Sequence, residues 1–362
     1  MLPEIEFNNA DEILAQISKT ELQTKPLANY DMNESEDFKI LNESELRNYV
    51  ATGTAWILAN FIRHASIVIL AGKRSSLKSW GALQKAICVA TGKSFLGKFE
   101  TEKSNVLYLD KENGFEELQK RVAMIKTGLE INENVNMHFI SETSLKLDSR
   151  RDILKLIEII REKKIHLVVV DALRRFISFD ENDAKEVSNF ITEYIKPLCE
   201  GLNVSFLFIH HERKGESSGD DMDMLRGSSD LANYADCILQ VMRKGDYLTV
   251  KQTKSRSGKE LEPFQVKIET DELTFFRLIY HGAVERREDK VAQMLTNWFV
   301  ESKIISFQYF EGLKYVKSLF QKESSYKNAL LNLQTQGVIK KGDGWRASYK
   351  VDTSLLGYHE KH

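Results

Sequence analysis

The sequence predicts an α/β protein: a mostly parallel sheet with helices on both faces, followed by a small domain of three helices and a hairpin. Three observations carry this. Apolar runs without alternation, such as Leu167-Val168-Val169-Val170, have the character of central parallel strands buried on both faces. Such runs alternate with amphipathic helical segments, the pattern of strand–helix–strand units. One of them, Ile67-Val68-Ile69-Leu70, runs into a loop that ends in Lys78-Ser79 and then into a helix.

The elements follow in order. Residues 1–45 form an acidic leader; residues 1–50 hold eleven acids against four bases. Within it, 11–17 has the makings of a short helix capped by Asn9. Over 46–284, strands are expected at 66–70, 105–109, 137–140, 167–170, 204–209, 237–242 and 247–252, and helices at 79–91, 115–127, 148–163 and 184–200. Hairpin-like pieces over 237–252 and 264–280 suggest antiparallel strands added at one edge. Over 285–362 the texture changes. Three helix-sized blocks, 288–303, 306–320 and 324–335, precede two short runs around an Asp343-Gly344 turn, which reads as a hairpin. Three helices and a hairpin make a winged-helix arrangement, with 324–331 as the recognition-type helix.

The 362 residues fit two or three domains at roughly 150 each. Lys+Arg (51) and Asp+Glu (53) nearly cancel, so global charge does not announce a nucleic-acid binder. Residues 306–350, however, hold eight bases against three acids, which marks a basic tail. Cys88, Cys199 and Cys237 lie far apart in apolar settings and read as buried thiols of a reducing compartment. No secretory signal pattern and no run of about 18 apolar residues is visible, so a cytoplasmic protein without a membrane partner is expected.

Ligands in open α/β sheets sit at the carboxyl ends of the strands, so the residues that follow each strand belong to one list. After the first comes Gly72-Lys73-Arg74-Ser75-Ser76-Leu77-Lys78-Ser79-Trp80. Backbone N–H groups of such a loop wrap phosphates, the lysine reaches the outer ones and the serine hydroxyl ligates Mg²⁺. The phosphate-loop pattern has glycine where this chain has Leu77, because backbone conformation and close phosphate approach there disfavour a side chain. Lys73 and Arg74 read either as nucleotide contacts or as solvated charges. After 106–109 comes Glu112, a carboxylate able to act as base or to orient a water; the other reading is a helix-start acid favoured by the macrodipole. After 167–170 comes Asp171, a Walker B position where the carboxylate holds Mg²⁺ through water. After 204–209 comes His210-His211. His210 continues the strand and is read as facing the γ-phosphate; adjacent residues point to opposite sides, which argues against a zinc pair. Lys254 and Arg256, two apart on an extended segment, can point together at one anion, either as an arginine finger for a neighbouring subunit or as an exposed basic turn.

These residues, together with Ala90-Thr91-Gly92-Lys93, Phe95-Leu96-Gly97, Val169-Val170-Asp171-Ala172-Leu173, Asp180-Glu181-Asn182-Asp183, His211 with Lys214, and Arg226-Gly227-Ser228-Ser229, resemble the RecA-fold ATPases of the AAA_25 group. That group includes plasmid RepA-type hexameric helicases and is related to DnaB-type helicases. The resemblance spans roughly 50–280. It implies a RecA-like P-loop core using ATP and Mg²⁺. Lys78 would bind phosphate, Ser79 and Asp171 would hold Mg²⁺, Glu112 would be the catalytic carboxylate and His210 the γ-phosphate sensor. Lys254 and Arg256 would be the trans-acting pair of a homohexameric ring. Members of the group often carry a bulky residue at the Leu77 position.

The functional expectation is an ATP-hydrolysing ring ATPase acting on DNA, a replicative-type helicase or remodeller of a plasmid, virus or other mobile element. DNA contacts would come from Arg226, Lys322, Lys327, Lys340, Lys341 and Arg346. The winged helix could instead dock replication proteins. The alternative is a non-translocating, nucleotide-switched DNA-binding regulator or recombination accessory protein with slow ATPase activity, which Leu77 and the modest basic charge favour.

Overall fold

The computed structural model describes residues 41–48, 56–211, 229–284, 287–317, 323–342 and 348–356. The expected 11–17 helix, Lys214, Arg226, Lys322, Arg346 and the Asp343-Gly344 turn lie outside them. The chain divides into two compact units between Ala283 and Val284.

Side-chain alternation builds the first unit. Its described strands are β1 (Trp56–Leu58), β2 (Ile62–Arg63), β3 (Ile67–Gly72), β4 (Asn105–Asp110), β5 (Met137–Ile140), β6 (Ile165–Asp171), β7 (Ser205–His211), β8 (Cys237–Lys244), β9 (Tyr247–Ser255), β10 (Phe264–Thr270) and β11 (Phe276–Ala283). Nine of them form one sheet in the order β11-β10-β9-β8-β3-β7-β6-β4-β5. Pairing is parallel from β8 through β5 and antiparallel from β8 through β11. The edge hairpins expected from sequence are thus β9, β10 and β11. The short β1–β2 ribbon had no legible signal.

Because both faces of the parallel strands are covered, every residue of β3 is buried and alternate residues feed two cores. Val68, Leu70, Val106, Tyr108, Leu167, Val169, Leu207 and Ile209 face one helical layer. That layer includes α2 (Lys78–Thr91) and α3 (Gly114–Gly128), the short Glu43–Arg47 helix being α1. Ile69, Leu107, Val168, Val170, Phe206 and Phe208 face the other. There α4 (Arg150–Glu162) presents Ile153, Leu156, Ile157 and Ile160 at i, i+3, i+4 and i+7. A one-turn helix, α5 (Leu173–Phe176), follows β6.

One expected helix, 184–200, is not uniformly α: it runs as α6 (Ala184–Asn189), a π-helical stretch Phe190–Ile195, and α7 (Lys196–Leu202). The chain then continues through β7, and α8 (Ser229–Tyr234) precedes β8. All three cysteines are unpaired and buried, and burial raises each thiol pKa, which makes them poor nucleophiles. Among the described residues no helix is long and apolar enough to cross a membrane.

The second unit contains α9 (Arg287–Glu301), β12 (Ser306–Gln308), α10 (Tyr309–Lys317), α11 (Glu323–Thr335), β13 (Ile339–Lys341) and β14 (Ser348–Val351). Its sheet has the order β12-β14-β13, all antiparallel. The expected helix over 306–320 is corrected here: its first three residues are a strand. Phe307 is buried between exposed Ser306 and Gln308, a strand alternation too short to read from sequence. Glu311 then accepts the Gln308 N–H at 2.7 Å as the helix begins. Val291, Leu295, Phe299, Phe307, Leu313, Tyr326, Leu330, Leu333, Ile339 and Tyr349 make the core. A Cβ on Gly312 would lie 2.4 Å from the Tyr326 hydroxyl, so the α10–α11 crossing needs glycine there.

Candidate nucleotide-binding site

The carboxyl ends of β3, β4, β6 and β7 form the site. At the end of β3, a Cβ on Gly72 would sit 2.5 Å from the Val241 carbonyl oxygen, so only glycine lets the loop start beside β8. Ser75 (φ 63°) and Leu77 (φ 59°) are left-handed. Leu77 therefore takes the backbone shape that glycine would supply, at a cost of about 1–2 kcal/mol. Its side chain packs on the core, which offsets that cost. Lys73, Arg74 and Ser75 are exposed; Ser76 is buried.

Lys78 opens α2 and is 4% exposed. Its Nζ donates to the carbonyls of Gly72 (2.7 Å) and Lys73 (2.8 Å) and lies 3.4 Å from Ser76 Oγ. The ammonium is folded into the ring of its own loop, where phosphate oxygens could replace the carbonyls as acceptors. Trp80 points elsewhere: its ring lies 4.3 Å from that of Phe276, with the Arg121 guanidinium 5.1 Å above it.

Asp171 is fully buried at the end of β6. Oδ2 accepts the Tyr108 hydroxyl at 2.8 Å, while Oδ1 has no hydrogen-bond partner. Burial pushes its pKa up to about 6; the Tyr108 hydroxyl and the nearby Ser79 hydroxyl pull it down, and the Asp110 and Glu112 carboxylates push it further up. An orphaned buried carboxylate oxygen beside a serine hydroxyl is a hard oxygen set that fits Mg²⁺. Among the described residues no group of three His, Cys, Asp or Glu could hold a metal.

Glu112 is carried by a turn that Asp110 organises. Asp110 is fully buried; its Oδ1 accepts the N–H groups of Glu112 (2.7 Å) and Asn113 (2.8 Å), and its Oδ2 accepts the Asn113 side-chain amide. Glu112 Oε1 lies 3.6 Å from His211 Nε2 and 3.9 Å from Arg175 Nε. Burial first, then the Lys78 charge, lowers the His211 pKa, with Glu112 opposing.

The expectation for His210 is corrected. His211 follows Leu207 and Ile209 on the α2 face and reaches Glu112. His210 follows Phe208 onto the opposite face, with Nε2 3.5 Å from Glu181. Strand alternation, not continuation of the strand, decides the facing side. Tyr108, Asp110, Arg175 and His211 were the residues missed. The parity of His211 was readable; the other three needed the register.

Lys254 and Arg256 come together, but away from this site. Lys254 Nζ donates to the carbonyls of Ala232 (2.8 Å) and Asn233 (2.9 Å); Arg256 donates to the Asn233 carbonyl (2.6 Å) and to Asp236 Oδ1 (3.3 Å). Cys237 pairs with both Val68 and Ser255, so this pair lies at the amino ends of the parallel strands, the edge opposite the phosphate-type loop. In the second unit, Lys327, Lys340 and Lys341 are exposed. Lys327 lies 3.3 Å from Glu323.

A mostly parallel sheet, a lysine-bearing loop between β3 and α2, and carboxylates at neighbouring strand ends define a RecA-like P-loop core. The family model described as "AAA domain", AAA_25, matches residues 37–217, and the chain belongs to that family. Solved structures that the chain matches include one described as an ATPase domain, at 15% identity, 59% of this chain, 84% of that chain and TM-score 0.46. A DnaB-like replicative helicase, described with its interactions with primase, matches at 16% identity, 74% of each chain and TM-score 0.47. A KaiC-like protein from Pyrococcus horikoshii matches at 11% identity, 60% of this chain, 90% of that chain and TM-score 0.41. The search of curated proteins returned no match.

Proposed function

We propose that this protein hydrolyses ATP as a ring-forming RecA-type ATPase acting on DNA, a replicative-type helicase or remodeller of a plasmid, virus or other mobile element. The observation that carries the reading is the convergence of charged groups at strand ends that are buried or incompletely satisfied. Lys78 is folded against carbonyls that a phosphate could displace, Asp171 Oδ1 is orphaned, and Glu112 stands beside His211. Bound Mg²⁺ would neutralise phosphate charge. Ser79 and Asp171 would hold it, Lys78 would bind the outer phosphates, and Glu112 would orient or deprotonate the attacking water. His211 would sense the γ-phosphate through its contact with Glu112.

Arg256 and Lys254 lie at the opposite sheet edge, so a bound nucleotide that meets them would belong to a neighbouring copy. That supports a ring in which hydrolysis depends on assembly, with Arg256 exchanging Asn233 and Asp236 for phosphate. The second unit's three helices and three-stranded antiparallel sheet fit a winged helix, which would meet duplex phosphates through Lys327, Lys340 and Lys341 or dock replication proteins.

The test is ATP hydrolysis with and without single-stranded and duplex DNA, alongside molar mass by light scattering. A hexamer strongly stimulated by DNA is expected. Slow, unstimulated turnover from a monomer or dimer would replace this reading with the nucleotide-switched regulator.

A further inference from the structure

Tyr108 has no role in the assignment above, yet its hydroxyl joins two segments of the site. It is 1% exposed, with its ring 6.1 Å from that of Phe139. Its oxygen lies 2.8 Å from Asp171 Oδ2 on β6 and 3.5 Å from the main-chain oxygen of Ser79 on α2. β4 and β6 pair in parallel with Tyr108 opposite Val169, so Asp171 is the next residue along on the same face. One donor thus fixes one oxygen of a buried carboxylate and leaves the other, Oδ1, unpartnered. A buried acceptor without a partner costs about 1–3 kcal/mol, a cost that a cation would remove.

We propose that Tyr108 is a positioning residue for the metal: its hydroxyl holds Asp171 Oδ2 so that Oδ1 is presented, fixed and unshared, to Mg²⁺. The proposal rests on the Mg²⁺–nucleotide reading of the site. Groups that orient a metal ligand from behind commonly change metal affinity about 10–100-fold when removed. A purely structural tyrosine would act on folding and on all ligand binding alike.

Binding of a fluorescent ADP analogue to the full chain, first in EDTA and then across a Mg²⁺ titration, separates these roles. Tyr108→Phe removes only the oxygen. The expected result is metal-free affinity within about twofold of wild type and a Mg²⁺ midpoint raised at least about tenfold. An unchanged midpoint, with wild type responding to Mg²⁺, overturns the proposal alone. So does a melting temperature lowered in metal-free buffer with metal-free and Mg²⁺-bound affinities falling together, because the hydroxyl then supports the fold. Wild type that binds no nucleotide, or binds it without regard to Mg²⁺, overturns both the proposal and the reading beneath it.

Discussion

The two edges of the parallel sheet differ in how their carboxylates are satisfied, while Lys78 and Lys254 each donate to two carbonyls. At the carboxyl edge, Asp171 is fully buried with one oxygen unpartnered, and Lys78 is turned back onto its own loop. At the amino edge, Lys254 and Arg256 are engaged by two carbonyls and the Asp236 carboxylate. Buried charge that lacks a full set of partners is costly unless something else binds it. Charge that is already satisfied must give up partners before it can act. Under the proposed function, the first edge would receive the nucleotide and the second would deliver one group to another copy once assembly rearranges it.

The strongest way to break this contrast is Lys78→Ala. ATP turnover should fall below detection in a phosphate-release assay; unchanged turnover would remove the loop from the account. Arg256→Ala should come next. Its nucleotide affinity should stay near wild type while turnover falls on the order of 10³-fold, the scale of an arginine finger. Affinity falling in step with turnover would place Arg256 in its own cradle, against the register.

Two loop positions sharpen the picture at the carboxyl edge. Gly72→Ala brings a Cβ to 2.5 Å from the Val241 carbonyl and should cost more than about 2 kcal/mol by urea unfolding. Leu77→Gly releases the left-handed strain but loses core packing, and should change stability by less than about 1 kcal/mol.

The smallest effect concerns Lys85, a buried residue of α2 with its ammonium 4.3 Å from the Phe95 ring centroid. Burial lowers its pKa from 10.5 to about 8, against the raising influence of Cys88 and Cys237. The unfolded chain therefore binds more protons between those values, and the stability contributed by this group rises as pH goes from about 8 to 10.5. Lys85→Met should be more stable than wild type at pH 7, by at most about 3 kcal/mol. That advantage should shrink as the pH is raised; a constant gap would contradict the burial argument.

Much of the architecture was legible because β3, β4 and β6 are continuous apolar runs and α4 repeats its apolar residues at helical spacing. Lys78, Ser79, Glu112 and Asp171 were singled out because they follow such strands, and the structure places them at those strand ends. What failed to show has specific causes. His211 was passed over for His210 although Leu207 and Ile209 fix its parity. Tyr108 looked like core because its partner, Asp171, lies 63 residues away and is reached only through strand register. Trp80 adjoins Ser79 in sequence, but the turn of the helix carries it round to Phe276. The Ser306–Gln308 strand is too short to display a period.

The central claim is that nucleotide at one edge meets Lys254 and Arg256 from another copy. ATP hydrolysis by a mixture of Glu112→Gln and Arg256→Ala proteins tests it most directly, since each variant keeps the part the other lacks. Turnover well above that of either variant alone is the result predicted; a mixture as inert as its components would contradict the account.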